Sequence, residues 1–558
     1  MARGAMKLLP KALALALALG LLFLCGCVDV RAAIAGPTLH AATALSEQFL
    51  TRADGPEPVL NALVVSGALY RRAELVVTAP ENDTGAQLLA ASTAVDLGVP
   101  LLLTPPFGAA TTAVAAELSR LHVLCVLSVG GGAIGQANGR TMIAVPATPA
   151  AVNAILPEAL RVVDVESAAG ALSALARMDP LAPVLLNLPS RSGSTETPTV
   201  EPVPVLPRVA RVEPLTGGFL LSTDDSAQLA GVATARAASV AVVLVPSLYP
   251  NPQASTAAVD ALAAVVPKAV IALGLPFAAE PGLEYKVRSA VTGVQLPGGG
   301  QLLFPGRRFV ALYGTPDAPV LGVLGEQPVV EAIARARQTA AAYQPLSDRP
   351  VVPMHEIIAT VASAGSGSDG NYSSEISEDQ LRPWVEQAGA GGLYVVLDLQ
   401  PGRTDFLTQA KQYASLLELP YVGLALDPEW RLGPDQRHLA QIGTVDVSEI
   451  NAVASWLADL TNQHALPQKL LVLHQFRSSM IQNRAGLEMS HPELALLLHV
   501  DGLGSQPDKQ ATWSKLHADA PTDIAWGWKN FYDEDRPMLT PEQTMTQVSP
   551  APDLVTYQ

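Results

Sequence analysis

Two stretches decide the fold of this 558-residue chain: Leu393–Arg403, LYVVLDLQPGR, and Tyr421–Trp430, YVGLALDPEW. Each is a short apolar run that breaks off into acidic and polar side chains. Such runs, bounded by turn residues, read as strands buried on both faces, the signature of a parallel sheet covered by helices. The same grammar continues from Arg308 onward. It predicts strands at Phe309–Tyr313, Val351–Thr360, Leu393–Leu397, Tyr421–Leu426, Lys469–Leu473, Leu497–Val500 and Asp523–Trp526. Helices are expected between them at Val329–Tyr343, Glu378–Ala388, Asp405–Leu417, Val447–Asn462, Pro492–Leu496 and Lys509–His517. Roughly seven β/α units point to a (β/α)8-like barrel with one strand unaccounted for. An open doubly wound sheet is the alternative.

In a barrel of this kind, function gathers at the C-terminal ends of the strands. The polar clusters fall there in order: His355-Glu356, Asp398 to Arg403, Asp427-Pro-Glu429-Trp430, His474-Gln475, His499-Val-Asp501 and Trp526-Gly-Trp528-Lys529. If the chain stays extended through Pro428, Asp427 and Glu429 point to one side about 6.6 Å apart. Asp398 is expected to face the same opening. Two carboxyl groups at such spacing suit glycosidic hydrolysis, which needs a proton donor and a second carboxylate. Indole faces stack on the apolar C–H surface of sugar rings, and Trp430, Trp526 and Trp528 are positioned for it. The candidate catalytic residues are therefore Asp427, Glu429 and Asp398. Candidate sugar-binding residues are His355, Glu356, Arg403, Trp430, His474, Gln475, Asp501, Trp526, Trp528 and Lys529. The cluster resembles carbohydrate-active barrels in general, without completing one family's motif. Each element also has a plainer reading: Asp427 as a turn opener, Asp398 as a helix cap, Arg403 as a partner of Asp405. His355, His474 and His499 lack the spacing of a metal motif, so no metal or other cofactor is expected.

Composition sets the outer limits. The chain is 49% hydrophobic, only 15% charged and carries a formal charge of −16, a balance opposed to nucleic-acid binding. Three cysteines exclude a disulfide scaffold. Arg3, Lys7 and Lys11 precede the apolar run Ala12–Leu24, which is too short to span a bilayer but suits a secretory signal. It ends in Leu24-Cys25-Gly26-Cys27, which resembles the lipobox of bacterial lipoproteins. That resemblance implies cleavage before Cys27, acylation of its sulfur and an extracytoplasmic location at a membrane surface. Cys125, inside Val123–Val129, reads as a buried hydrophobe.

All six tryptophans and seven of the nine histidines lie beyond residue 350, so the two halves differ in kind. The first half is rich in Ala, Val and Leu and contains an internal repeat. Leu75–Thr78, a helix at Ala86–Leu97, a strand at Val99–Thr104, a helix at Thr112–Leu121 and a strand at Val123–Val129 make one copy. Phe219–Ser222, Ala227–Ala238, Val240–Val245, Ser255–Val265 and Ala269–Leu273 make the other. Val76 to Asp83, Leu97 to Thr104, Glu117 to Leu121 and Val126 to Gly131 resemble the cell wall-binding repeat 2 family, whose modules hold secreted proteins of Gram-positive bacteria on the wall. The resemblance covers about 60 residues of the first copy and implies flavodoxin-like folds. Family members commonly carry three modules, and a third is not legible. Gly130 to Gly135 formally satisfies G-x-G-x-x-G, but no acidic residue follows about 20 positions later, so the dinucleotide reading fails.

The expected organisation is a signal and lipobox over 1–27, a first α/β module over 28–188, a Pro/Ser/Thr-rich linker over 189–214, a second module over 215–299 and a barrel over 300–548. The expected function is that of a lipid-anchored envelope protein whose barrel binds or cleaves a wall polysaccharide. A non-catalytic wall anchor or scaffold, and a metal-dependent deacetylase or esterase, stand as the alternatives.

Overall fold

A computed structural model describes residues 38–106, 108–131, 139–189 and 206–558. The basic start, the Cys27 motif, Gly132–Gly135 and most of the Pro/Ser/Thr-rich stretch lie outside these residues. The described chain divides into two compact units. One runs to Leu244 and takes back Lys268–Ala278; the other holds Val245–Pro267 and Ala279–Gln558. No helix among the described residues is long and apolar enough to cross a membrane.

The first unit contains two four-stranded sheets. In one, Leu75–Pro80 pairs in parallel with Leu101–Thr104 and Cys125–Val129, and Thr141–Val145 extends the edge beyond Cys125–Val129. In the other, Gly218–Thr223 lies between Ala241–Val245 and Ala269–Leu273. The repeat therefore corresponds to two sheets with the same central order. Its matched aspartates do the same work: Asp83 accepts from the Ala86 N–H and Asp225 from the Ala227 N–H, both at 2.9 Å, opening the helical segments that follow. One strand departs from the linear reading. Leu50–Ala53 crosses over to pair in parallel with Ala269–Leu273, so the second sheet borrows a strand from ahead of the first. Five polar residues in eight, from Ser46 to Ala53, hid it.

The second unit is a closed barrel of eight parallel strands: β1 (Arg308–Gly314), β2 (Val351–Ala362), β3 (Tyr394–Leu399), β4 (Val422–Leu426), β5 (Lys469–His474), β6 (Leu494–Val500), β7 (Ala525–Asn530) and β8 (Leu554–Tyr557). Closure comes from β1, which pairs with both β2 and β8. The open-sheet alternative is thereby excluded. The eighth strand is only four residues long and follows Pro550-Ala-Pro552, beyond the expected end at 548, which is why its pattern was not legible. Outside the strands lie α1 (Val329–Tyr343), α2 (Glu378–Ala390), α3 (Phe406–Gln412), α4 (Val447–Gln463), α5 (Gln506–Ala518) and α6 (Pro541–Gln547). The helix expected at Pro492–Leu496 does not form: Leu494–Leu496 opens β6, and β5 joins β6 through two 3-10 turns, Ser478–Met480 and Arg484–Gly486, with no α-helix.

Period-two alternation sorts the strand side chains. Outward residues such as Val310, Val395, Leu424, Leu471 and Leu498 pack under the helices, while Phe309, Met354, Val396, Val472, Leu497 and Leu554 fill the lower interior.

Candidate functional site

Going up the barrel, each strand trades an apolar or small interior side chain for a polar one two residues later. Ala311 gives way to Tyr313, Met354 to Glu356, Val396 to Asp398, Ala425 to Asp427, Val472 to His474, Leu497 to His499, Gly527 to Lys529 and Leu554 to Thr556. The C-terminal mouth is thus floored by titratable groups at depth; Glu356, Asp398, His474 and His499 are all fully buried.

His474 is the hub. Its Nε2 lies 2.9 Å from Glu356 Oε1 and its Nδ1 3.0 Å from Asp501 Oδ2, with Asp398 Oδ1 3.9 Å from Nε2. A ring that donates from both nitrogens to carboxylates is an imidazolium. Burial alone would lower its pKa, but Asp398, Glu356 and the bond to Asp501 hold it well above the ordinary histidine value. The reciprocal effect appears on the partners. Burial favours protonation of Glu356, yet His474, with His499 and Lys529, brings it down to about 2. Asp501 is likewise lowered: the His474 hydrogen bond and charge outweigh its burial. Two further contacts fix the floor. Thr556 donates to Glu356 Oε2 at 3.2 Å, and Tyr313 donates to Asp398 Oδ2 at 2.7 Å while the Lys529 Nζ sits 3.4 Å from the centre of its ring.

The remaining three carboxyl groups go the other way. Burial raises Asp398 to about 6, with Glu356 adding to the effect against His474. Burial also raises Asp427 well above its ordinary range, with Glu429, Asp398 and Asp501 contributing. Glu429, only half-buried, is raised to about 7 by burial and then by the neighbouring charge of Asp501. The site thus holds two anions compensated by His474 and Lys529, beside three carboxyl groups that favour their protonated forms.

The expectation of an extended chain through Pro428 is corrected. Asp427 accepts from the Glu429 N–H at 3.3 Å and caps a 3-10 turn over Pro428–Trp430. Proline at the first turn position and aspartate before it favour that turn. Asp427 is therefore both turn opener and part of the cluster. Asp398 is not a helix cap, since Asp405 caps α3.

Several other expected site residues lie away from the cluster. On β7 the alternation that points Lys529 inward points Trp526 and Trp528 outward, where both stack edge-on against Trp513 of α5. His355 also faces the helices, its ring 6.4 Å from Trp384. Trp430 does reach the rim: its ring centre lies 5.3 Å from that of His438, which bonds the Tyr372 carbonyl at 2.8 Å, and the Arg403 guanidinium lies 4.6 Å from the Tyr372 ring centre. Arg403 thus builds the rim and donates to the Gln436 carbonyl at 3.0 Å, rather than pairing with Asp405. Here Gly402 is required: at φ +60° its backbone passes so close to the Asn371 carbonyl that a Cβ would stand 2.1 Å from it. Gln475 is tied into its own loop, donating to the Arg477 carbonyl at 3.1 Å.

Sequence reasoning did not single out Tyr313 and Thr556. Counting inward positions from Phe309 would have found Tyr313; Thr556 lay on the strand not recognised. His499 stands 4.7 Å from His474, ring centre to ring centre, with no hydrogen-bond partner on either nitrogen, and burial lowers it to about 3. Gly527 makes room for it, because a Cβ there would lie 2.6 Å from the His499 ring.

Among the described residues, two sets of side chains bring oxygen and nitrogen atoms within 4.8 Å of one another: Glu356, His474 and His499, and Asp427, His474 and Asp501. His474 serves both sets, and each of its nitrogens already donates to a carboxylate. A cation would therefore have to displace a proton that three carboxyl groups retain.

No family model matches the chain, and no curated protein matches it. Among solved structures, Cwp6 from Clostridium difficile is similar over 72% of this chain and 68% of its own, at 10% identity and a TM-score of 0.32.

Proposed function

We propose that the barrel is the hydrolytic site of an envelope-glycan hydrolase, carried on an extracytoplasmic protein that Cys27 anchors to the membrane by lipid. The lipobox-like motif and the repeat resemblance support the location, and the first-unit modules would hold the protein on a wall polysaccharide. One observation carries the chemistry: two neighbouring carboxyl groups at the mouth have pKa values driven apart, Glu429 up to about 7 and Asp501 down. Groups separated in this way divide into acid and base.

Glu429, the more open of the two, delivers a proton to the glycosidic oxygen as the C–O bond breaks. Asp501 stays ionised and faces the positive charge that develops on the sugar ring; a water then adds at the anomeric carbon and gives its proton to the Glu429 carboxylate, which restores the acid. His474 fixes Asp501 in orientation and charge, and Glu356 fixes His474. Asp427 and Asp398, which hold protons more readily, supply hydrogen bonds to sugar hydroxyls, and Trp430 offers a face for stacking. The assignment keeps Glu429 from the expected set of Asp427, Glu429 and Asp398 and gives the ionised role to Asp501, outside that set.

The test is reducing-end release from purified wall polysaccharides by the full chain. Glu429→Gln and Asp501→Asn should each lower the rate by about 10²–10⁴-fold, the usual contribution of such groups. Unchanged release in both variants would overturn the roles. No release from any polymer by the parent protein would leave the anchor reading in its place.

A further inference from the structure

The β5–β6 connection is the one β/α step of the barrel, among the described residues, that lacks an α-helix. Between the start of that connection and α5 there is a hollow of about 480 Å³, within the usual range of small-molecule sites. One wall is the loop Phe476–Ser479 and the other is the Thr512–Leu516 face of α5. The walls are held together from beneath. Buried Arg484 donates to Gln475 Oε1 at 2.8 Å on the loop side and to the Leu516 carbonyl at 2.8 Å on the helix side. Gln475 in turn donates to the Arg477 carbonyl, and the Phe476 N–H donates to the sulfur of Met480, so the loop is pinned at several points.

Each wall contributes an exposed cation, Arg477 and Lys515, and neither forms an ion pair among the described residues. Ser478, Ser479 and Thr512 add hydroxyl groups around them. In a chain of net charge −16, two cations without a carboxylate partner facing one hollow mark a place where an anion is favoured, and the Arg477 guanidinium lies 5.7 Å from the Phe476 ring centre. The hollow also adjoins the mouth. Phe476 follows His474 by two residues, at most about 7 Å along the chain, and its Cβ stands 3.3 Å from where a Cβ on Gly502, next to Asp501, would be.

We propose that this hollow is a subsite for a phosphate-bearing sugar unit, held between Arg477 and Lys515. Donors approaching from two walls suit the three divergent oxygens of a phosphate ester better than the two coplanar oxygens of a carboxylate. The sugar carrying the phosphate lies against Phe476. The subsite names the substrate class for the hydrolytic reading and rests on that reading only for its role, because binding is measured without turnover.

The experiment titrates the full chain with glucose 6-phosphate by calorimetry, with glucose and glucuronate as controls. Saturable binding of glucose 6-phosphate, tighter than either control and weakened by salt, is expected. The double variant Arg477→Ala/Lys515→Ala should weaken it at least about tenfold, the cost of losing charged donors. Lys411→Ala, an exposed cation on α3, should leave it unchanged. If the double variant melts early, Lys515→Met alone is used, with a loss of at least about threefold expected. Failure of glucose 6-phosphate to bind, equal binding of glucuronate, or binding indifferent to these substitutions would overturn the proposal. Binding that follows it, in a protein that cleaves no polymer, would uphold the subsite and remove the hydrolase.

Discussion

The lower and upper interior of the barrel are built by the same strands two residues apart, yet they obey opposite rules. Below, Phe309, Met354, Val396, Val472, Leu497 and Leu554 make a dry layer in which a larger or smaller side chain changes only packing. Above, Glu356, Asp398, His474, His499 and Lys529 occupy equally buried positions, and their charges matter more than their volumes. Burying several carboxyl groups is tolerable because His474 and Lys529 stand among them and because burial raises Asp398, Asp427 and Glu429 toward their uncharged forms. A barrel optimised for stability alone would continue the lower layer to the rim. The difference teaches that the upper layer gives up packing stability for a buried arrangement of charge, which the proposed hydrolysis would use.

The comparison breaks most completely at His474. Replacing it by alanine leaves Glu356, Asp398 and Asp501 without their central cation, at an expected cost of about 3–5 kcal/mol in denaturant unfolding. The same truncation at Val472, two residues below, creates only a cavity and should cost less.

Proton concentration sharpens it next. Asp398 and Glu429 are raised in the folded state, so their contribution is full below about pH 4 and is lost as pH rises through about 6 and 7. Glu356 and Asp501 are lowered, so theirs is present above about pH 4 and is lost as pH falls toward 2. His499 and His355, lowered by burial to about 3 and about 4, work in the opposite sense and add stability as pH rises toward the ordinary histidine range. The readout is therefore a difference between variants: Glu429→Gln should remove the part of the melting-temperature decline that the parent shows as pH rises through about 7.

Gly527→Ala adds one methyl group against the His499 ring and should cost about 1–3 kcal/mol by overpacking. It should also shift the histidine resonances of His499 and its neighbour His474. Trp430→Ala is the mildest change: a rise in KM worth about 0.5–1.5 kcal/mol, with stability nearly unchanged, checked by kinetics beside a melting curve.

Much of this was legible in the residues. The acidic strand ends of β3 and β4, the histidine of β5 and the Asp501 that follows β6 all stand where apolar runs stop, so Asp398, Asp427, His474 and Asp501 were readable as a set. The direction of a side chain within a strand end was less so. Trp526, Trp528 and Lys529 lie within four residues on β7, and only the observed register shows that the lysine faces inward and the indoles outward. The turn at Pro428 was open to two readings because proline suits both an extended segment and the first position of a helical turn. The strand Leu50–Ala53 was hidden because its partners lie more than two hundred residues away.

The central claim is a separation of charge between two neighbouring carboxyl groups, and carboxyl carbon-13 resonances of the labelled full chain report it directly, with Glu429→Gln and Asp501→Asn providing assignments. Glu429 should titrate near pH 7 and Asp501 below the ordinary aspartate range. Both titrating together near pH 4 would contradict the account.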